Sequence, residues 1–188
     1  MITHPKNAGF SLIEILVTIV ILLVGLLGLA GLQGRALTSQ MEAYQRSQAL
    51  ILLKDMADRL NTNRGNASTY ITSLLSPQWL GTGDTQPASC AGLTGKDMDF
   101  CEWSNALKGA AETSSGGTNV GAMIGARGCI TQTVAPASGA PSQYLVAVAW
   151  QGLNNTAAPT ITCGAGQYGS NEALRRVVAL PVTIADLN

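Results

Sequence analysis

Apolar residues fall along this chain in three regimes. From Ile15 to Gly34 no side chain is ionisable, and most residues are Ile, Leu, Val, Gly or Ala. At about 1.5 Å rise per residue, a helix of about 20 residues crosses the roughly 30 Å hydrocarbon core of a bilayer. In the second regime Leu37, Met41, Tyr44, Ala49, Leu52, Leu53, Met56 and Leu60 recur mostly at steps of three and four. That spacing makes one apolar stripe, and Glu42, Arg46, Lys54, Asp55, Asp58 and Arg59 are left mostly to the other side. Asn61, Asn63 and Gly65 supply a stop signal. The two regimes together predict one helix from about Phe10 to Leu60, apolar all round at first and amphipathic afterwards. Its second half holds only about three heptads, short for a coiled coil. It is therefore expected to pack on the cysteine-bearing region, which needs a partner for its own core.

The third regime is polar and rich in small residues. Residues 62–126 read mainly as irregular connection, with a short helix from near Ala67 to Ser76-Pro77-Gln78-Trp79 and another around Asp99–Leu107. The stretch ETSSGGTNVGA reads as turn or mobile loop. Strands are clearer later, in ARGCITQTV, QYLVAVAWQG and LRRVVALPVTI, each enriched in β-branched or aromatic residues with partial alternation. Pro181 suits an edge strand or an irregularity better than a central ladder position. Three strands after a long helix predict an α+β fold, a small antiparallel meander laid on the helix's amphipathic half.

Composition narrows the function classes. A length of 188 residues suits one domain plus a membrane segment. Eleven basic and eleven acidic residues leave no net charge, so no basic field is available for nucleic acid or an anionic membrane surface. All four cysteines, Cys90, Cys101, Cys129 and Cys163, follow the apolar run, and none has C-x-x-C spacing. An even count beyond a membrane segment points to two disulfides in an oxidising compartment rather than four buried thiols. Of three connectivities, we expect Cys90–Cys101, closing an irregular loop, and Cys129–Cys163, tying the first strand to the segment before the last. Lys6 before the run and Arg35 after it give only a slight charge bias. The cysteines argue more strongly that everything after Arg35 lies outside the cytoplasm.

Glu14 is the anomaly. A carboxylate in or near hydrocarbon costs about 1–3 kcal/mol unless it is paired. A cleaved secretory signal would have a shorter apolar core and no intruding acid, and its best small-x-small candidate, Gly28-Leu29-Ala30, runs on into more helix. A plain signal anchor fits the length and leaves Glu14 unexplained. The residues KNAGFSLIEILV, however, resemble the class III signal of type IV prepilins. The resemblance implies that prepilin peptidase cuts between Gly9 and Phe10, that the new amine of Phe10 is methylated, and that Glu14 becomes the fifth mature residue, where the family keeps a glutamate that serves assembly. It divides the chain into a cleaved leader 1–9, a transmembrane or filament-core helix 10–34, an amphipathic helix 35–62 and a periplasmic or extracellular pilin domain 63–188. Gly25, Gly28, Gly31 and Gly34 recur every three residues, a pattern that suits close helix packing or local unwinding. Many major pilins carry a proline near this region, and this sequence has none.

YLVAVAWQG, the preceding RGCI and a late cysteine before the last strand further resemble the PilV-type minor pilins, also called type IV pilus modification proteins. The implied role is structural: a single-pass inner-membrane protein that enters a type IV pilus and supports assembly, tip structure or adhesion. Its implied partners are other pilins, prepilin peptidase and a tip adhesin. A minor pseudopilin of type II secretion would share the same N-terminus. A signal-anchored extracytoplasmic binding protein is the remaining alternative.

No enzymatic chemistry is expected. The single histidine, His4, falls in the leader, so the exported form would lack histidine-based nucleophile activation or metal binding. No phosphate-binding glycine loop is present. Asp84, Asp97 and Asp99 lack EF-hand spacing and read as solvated acids rather than calcium ligands. Trp79, Trp103 and Trp150 read as core or loop anchors. The sequons at Asn66 and Asn154 carry little weight. Neither a cofactor nor a metal is expected.

Overall fold

The computed structural model describes residues 9–110, 114–116, 121, 123–137 and 140–185. Its first element, helix α1, is continuous over Leu12–Thr62. The chain divides into two compact units between Met41 and Glu42. In the first unit, every described residue from Gly9 to Met41 is exposed.

In the second unit α1 buries Gln45, Ala49, Leu53, Met56, Ala57 and Leu60, a single face at helical spacing. Lys54–Asp58 and Arg59–Asp55 ion pairs, at 3.2 and 3.1 Å, sit one turn apart along the more polar side. The expected apolar stripe is thus shorter than its periodicity suggests. Leu37, Met41 and Tyr44 stay exposed, and burial begins at Gln45, which that stripe did not include. Periodicity marks which side of a helix is apolar, not where along it a partner surface begins.

After α1, two 3₁₀ helices run over Arg64–Tyr70 and Thr72–Leu74, then a two-residue strand β1 at Leu80–Gly81. Helix α2 spans Gly95–Leu107, strand β2 Ile124–Val134, β3 Ser142–Gln151 and β4 Arg175–Ile184. The short helix expected from Ala67 to Trp79 is instead 3₁₀, starts at Arg64 and breaks at Ile71, whose backbone is extended. Helix α2 begins at Gly95, four residues before the expected Asp99, with Thr94 extended at its N-cap and Asp97 in the first turn. Most of ETSSGGTNVGA lies outside the described residues.

The sheet is antiparallel in the order β1-β2-β3-β4, so the expected three-strand meander gains a short fourth strand. β1 pairs through Leu80 opposite Gly128 and Gly81 opposite Arg127. Pro181 lies in β4, the edge strand, opposite Leu145. β3 is the central long strand and is buried on both faces, which is why its sequence alternates only in part. Tyr144, Val146, Val148 and Trp150 join Ile130, Val182 and Ile184 in the core with α1 and with Phe100, Trp103 and Leu107 of α2. Burying each large side chain of that kind stabilises the fold by about 1.5–3 kcal/mol. The opposite face carries Cys129, Ala147 and Ala149, covered by Cys163 and Tyr168. Disulfides join Cys90 to Cys101 and Cys129 to Cys163.

Gly128 shows how tightly α2 meets the sheet. A Cβ placed on it would lie 2.2 Å from the Trp103 ring. The indole is anchored from the other side, where its Nε1 donates to the Leu52 carbonyl at 2.9 Å.

Candidate functional site

The start of α1 is built from the backbone upward. The Ser11 carbonyl accepts from the N–H groups of Glu14 at 3.1 Å and Ile15 at 3.3 Å. Glu14 therefore sits in the first helical turn, where the unpaired N–H groups favour an anion by about 0.3–1 kcal/mol. Its carboxylate has no hydrogen-bond or ion-pair partner among the described residues. Gly9 and Phe10 precede the helix and are exposed, and a side chain on Gly9 would meet nothing within 4 Å.

Beyond Glu14 the helix presents an uncharged apolar surface. Leu12, Leu16, Leu23, Leu27 and Leu32 are each more than half exposed. This helix is long and apolar enough to cross a membrane. An isolated apolar surface of this extent in water would be costly, so it calls for lipid or other helices. Placing a Cβ on Gly25, Gly28, Gly31 or Gly34 meets nothing within 4 Å, so their small size serves no contact inside the subunit.

An acid at the fifth position after a Gly-Phe junction, leading a bare apolar helix that becomes the spine of an α+β domain, is the arrangement two family models describe. The prokaryotic N-terminal methylation motif matches residues 4–30. The family described as Type IV pilin Tt1218 matches residues 31–102. The two matches abut and together cover just over half the chain. The chain is a type IV pilin. Comparisons with curated proteins and with solved structures found no match. Type IV pilins are a structural family, not an enzyme family. The leader motif implies processing by prepilin peptidase and interaction with other pilins. The apolar helix fits inner-membrane anchoring and pilus assembly. Strands β2, β3 and β4 of this pilin lie beyond both matched segments.

The expected solvated acids need correction. Asp84 is nearly buried; it accepts from the Gly81 N–H at 2.8 Å and pairs with Lys108 at 2.5 Å. Asp99 accepts from Arg59 at 2.8 Å, Asn63 at 3.2 Å and the Tyr70 hydroxyl at 2.5 Å. Only Asp97 is well exposed, beside Lys96. Each acid of this set found a partner that is distant or unremarkable in sequence. No group of three or more His, Cys, Asp or Glu residues that could hold a metal ion occurs among the described residues. His4 lies outside them. Trp103 and Trp150 are core residues, and Trp79 is half-buried against Arg127, 5.4 Å from ring centre to guanidinium.

Three charged anchors of the pilin domain left no signal in the sequence. Arg59 on α1 contacts Asp55, Asp99 and Glu102. Burial opposes its charge, but Glu102, Asp99 and Asp55 outweigh that and raise its pKa. Burial, then the Asp99 carboxylate, pushes the Tyr70 phenol up. Glu42 accepts from the backbone N–H groups of Asn154 at 3.0 Å and Leu153 at 3.1 Å, and from Arg176 at 3.4 Å. Burial acts to raise its pKa, yet those donors and the Arg176 charge hold it below the ordinary carboxylate value. Arg127, nearly buried, lies between Trp79 and Tyr168 with its guanidinium 5.1 Å from the Tyr168 ring. Burial raises the Tyr168 phenol's pKa against that neighbouring cation.

Proposed function

We propose that this protein is a minor pilin, cut between Gly9 and Phe10, methylated at the new Phe10 amine and incorporated into a type IV pilus. The observation that carries this reading is Glu14, unpartnered among the described residues at the head of an apolar helix with no covering of its own. Such a surface is suited to a bundle of like helices, where the Glu14 carboxylate of one subunit pairs with the Phe10 amine of a neighbour. In a dry bundle an unpaired charge is costly, while a paired one selects an axial register. In this reading residues 1–9 are the leader, 10–34 the membrane and filament-core helix, 35–62 the amphipathic helix, and 63–188 the domain carried on the periplasmic side and then outside the cell. Assembly support, tip structure and adhesion through a tip adhesin are the roles open to a subunit of this kind. The resemblance of YLVAVAWQG and RGCI supports the PilV-type subgroup.

The test is compartmental. Mass spectrometry of sheared surface filaments should find this protein with Phe10 as a methylated N-terminus. Replacing Gly9 with a bulky residue should leave the uncut precursor in the inner membrane, because peptidase access needs close backbone approach. Absence from pili, together with lost exoprotein secretion in a deletion strain that still makes pili, would replace this reading with the secretion pseudopilin. An N-terminus at Met1, or a start after Ala30, would remove the prepilin reading altogether.

A further inference from the structure

The sheet face turned away from α1 carries a cleft of about 540 Å³, within the ~300–1,000 Å³ typical of small-molecule sites. Its floor includes Thr131 of β2 and Leu145 of β3, and its walls come from residues 72–79 and 160–165. Both walls are tied to the floor. The Cys129–Cys163 disulfide holds one. On the other, the Thr72 hydroxyl accepts from the Ile130 N–H at 3.0 Å. The indole of Trp79 is oriented too, since its Nε1 donates to the Thr82 carbonyl at 3.1 Å and Arg127 lies against its ring. The cleft is therefore preformed rather than assembled by a ligand.

Its lining has a distinctive chemistry. None of the lining residues is ionisable. A charged ligand would lose hydration there without gaining a counter-charge, which is costly. The hydroxyls of Thr131, Thr160 and Thr162 have no hydrogen-bond partner among the described residues. A half-buried indole beside several free hydroxyls, with alkyl floor between them, matches a ligand that has an apolar ring face and a hydroxylated rim. We propose that this cleft binds a neutral saccharide, one or two sugar rings in size, stacked on Trp79 and hydrogen-bonded by the cleft threonines. The proposal goes beyond the pilin reading and does not depend on filament incorporation.

Saturation-transfer NMR on the full chain, held in a detergent without a sugar headgroup, tests it. The probes are D-glucose, D-galactose, N-acetyl-D-glucosamine, N-acetyl-D-galactosamine and lactose, with sialic acid and a sulfated disaccharide as charged counterparts. At least one neutral probe should receive saturation, and the charged ones should not. Trp79→Ala should weaken binding by about tenfold or more, while Trp79→Phe keeps part of the stacking. Because Trp79 also packs on Arg127, Thr162→Val provides a second variant on an exposed wall, and it too should weaken binding. No transfer to any neutral probe, from protein with both disulfides intact by peptide mapping, overturns the proposal. So does equal binding of the charged probes, or binding that survives both Trp79→Ala and Thr162→Val.

Discussion

Arg176 donates to the carboxylate of Glu42 at 3.4 Å, joining residues 134 positions apart. The same carboxylate oxygen receives the Leu153 and Asn154 backbone N–H groups, and Arg176 also donates to the Asn154 carbonyl at 2.5 Å. One acid on α1 thus organises the turn that follows β3. Glu42→Ala should destabilise the domain by about 1–2 kcal/mol, the lower part of the range for charge-assisted hydrogen bonds because water still reaches the pair. The sign of its pH dependence follows from its lowered pKa. The stabilisation is complete above the ordinary carboxyl value of 4.5 and is lost as pH falls through the lower folded value. Urea midpoints at about pH 6 and about pH 3 should therefore fall further in the wild type than in Glu42→Gln; equal falls would deny Glu42 this role.

Gly128 and Trp103 form a close pair with no room for a side chain. Gly128→Ala should cost at least about 1–3 kcal/mol, since its Cβ would meet both the indole and Leu107. Trp103→Phe in the same background should recover part of the loss by removing the clashing ring. Thermal melts of the two single variants and the double variant decide this, and strict additivity would show that the two residues do not meet as described.

The disulfides close loops of unequal length, with sequence separations of 11 for Cys90–Cys101 and 34 for Cys129–Cys163. Replacing either pair by serine should cost about 2–4 kcal/mol, with the longer closure worth about 1 kcal/mol more on chain entropy alone. Non-reducing peptide mapping checks the pairing, and denaturation of the two paired variants checks the order. Free thiols at all four positions in protein recovered from the periplasm would remove both the pairing and the inference of an oxidising compartment.

For Glu14, the expected effect is on assembly alone. Glu14→Ala and Glu14→Gln should leave cleavage and domain folding intact, because the carboxylate has no partner among the described residues of its own chain. Both should lower the ratio of this protein in sheared filaments to that in membranes. Glutamine keeps the shape and loses the charge, so a loss in both variants assigns the effect to the ion pair. An unchanged ratio in both would leave a plain membrane anchor as the better account.

What the sequence by itself determined about this protein is what depends on neighbours close along the chain. The bare apolar run, the prepilin-like junction at Gly9-Phe10, the polar break after Leu60 and the three long strands are all local patterns, and the α+β layering follows from them. The tertiary structure alone decided how far the α1 stripe is buried, because the partner surface from Gln45 onward comes from α2 and the sheet. It added β1, whose two residues become a strand only by pairing with Arg127 and Gly128. It also turned Asp84 and Asp99 from expected surface acids into anchored ones and set Arg127 between two aromatic rings. Charge and polarity can be read at each position. The identity of a partner 29 to 134 residues away cannot, because it depends on how the whole chain brings distant segments into hydrogen-bond range.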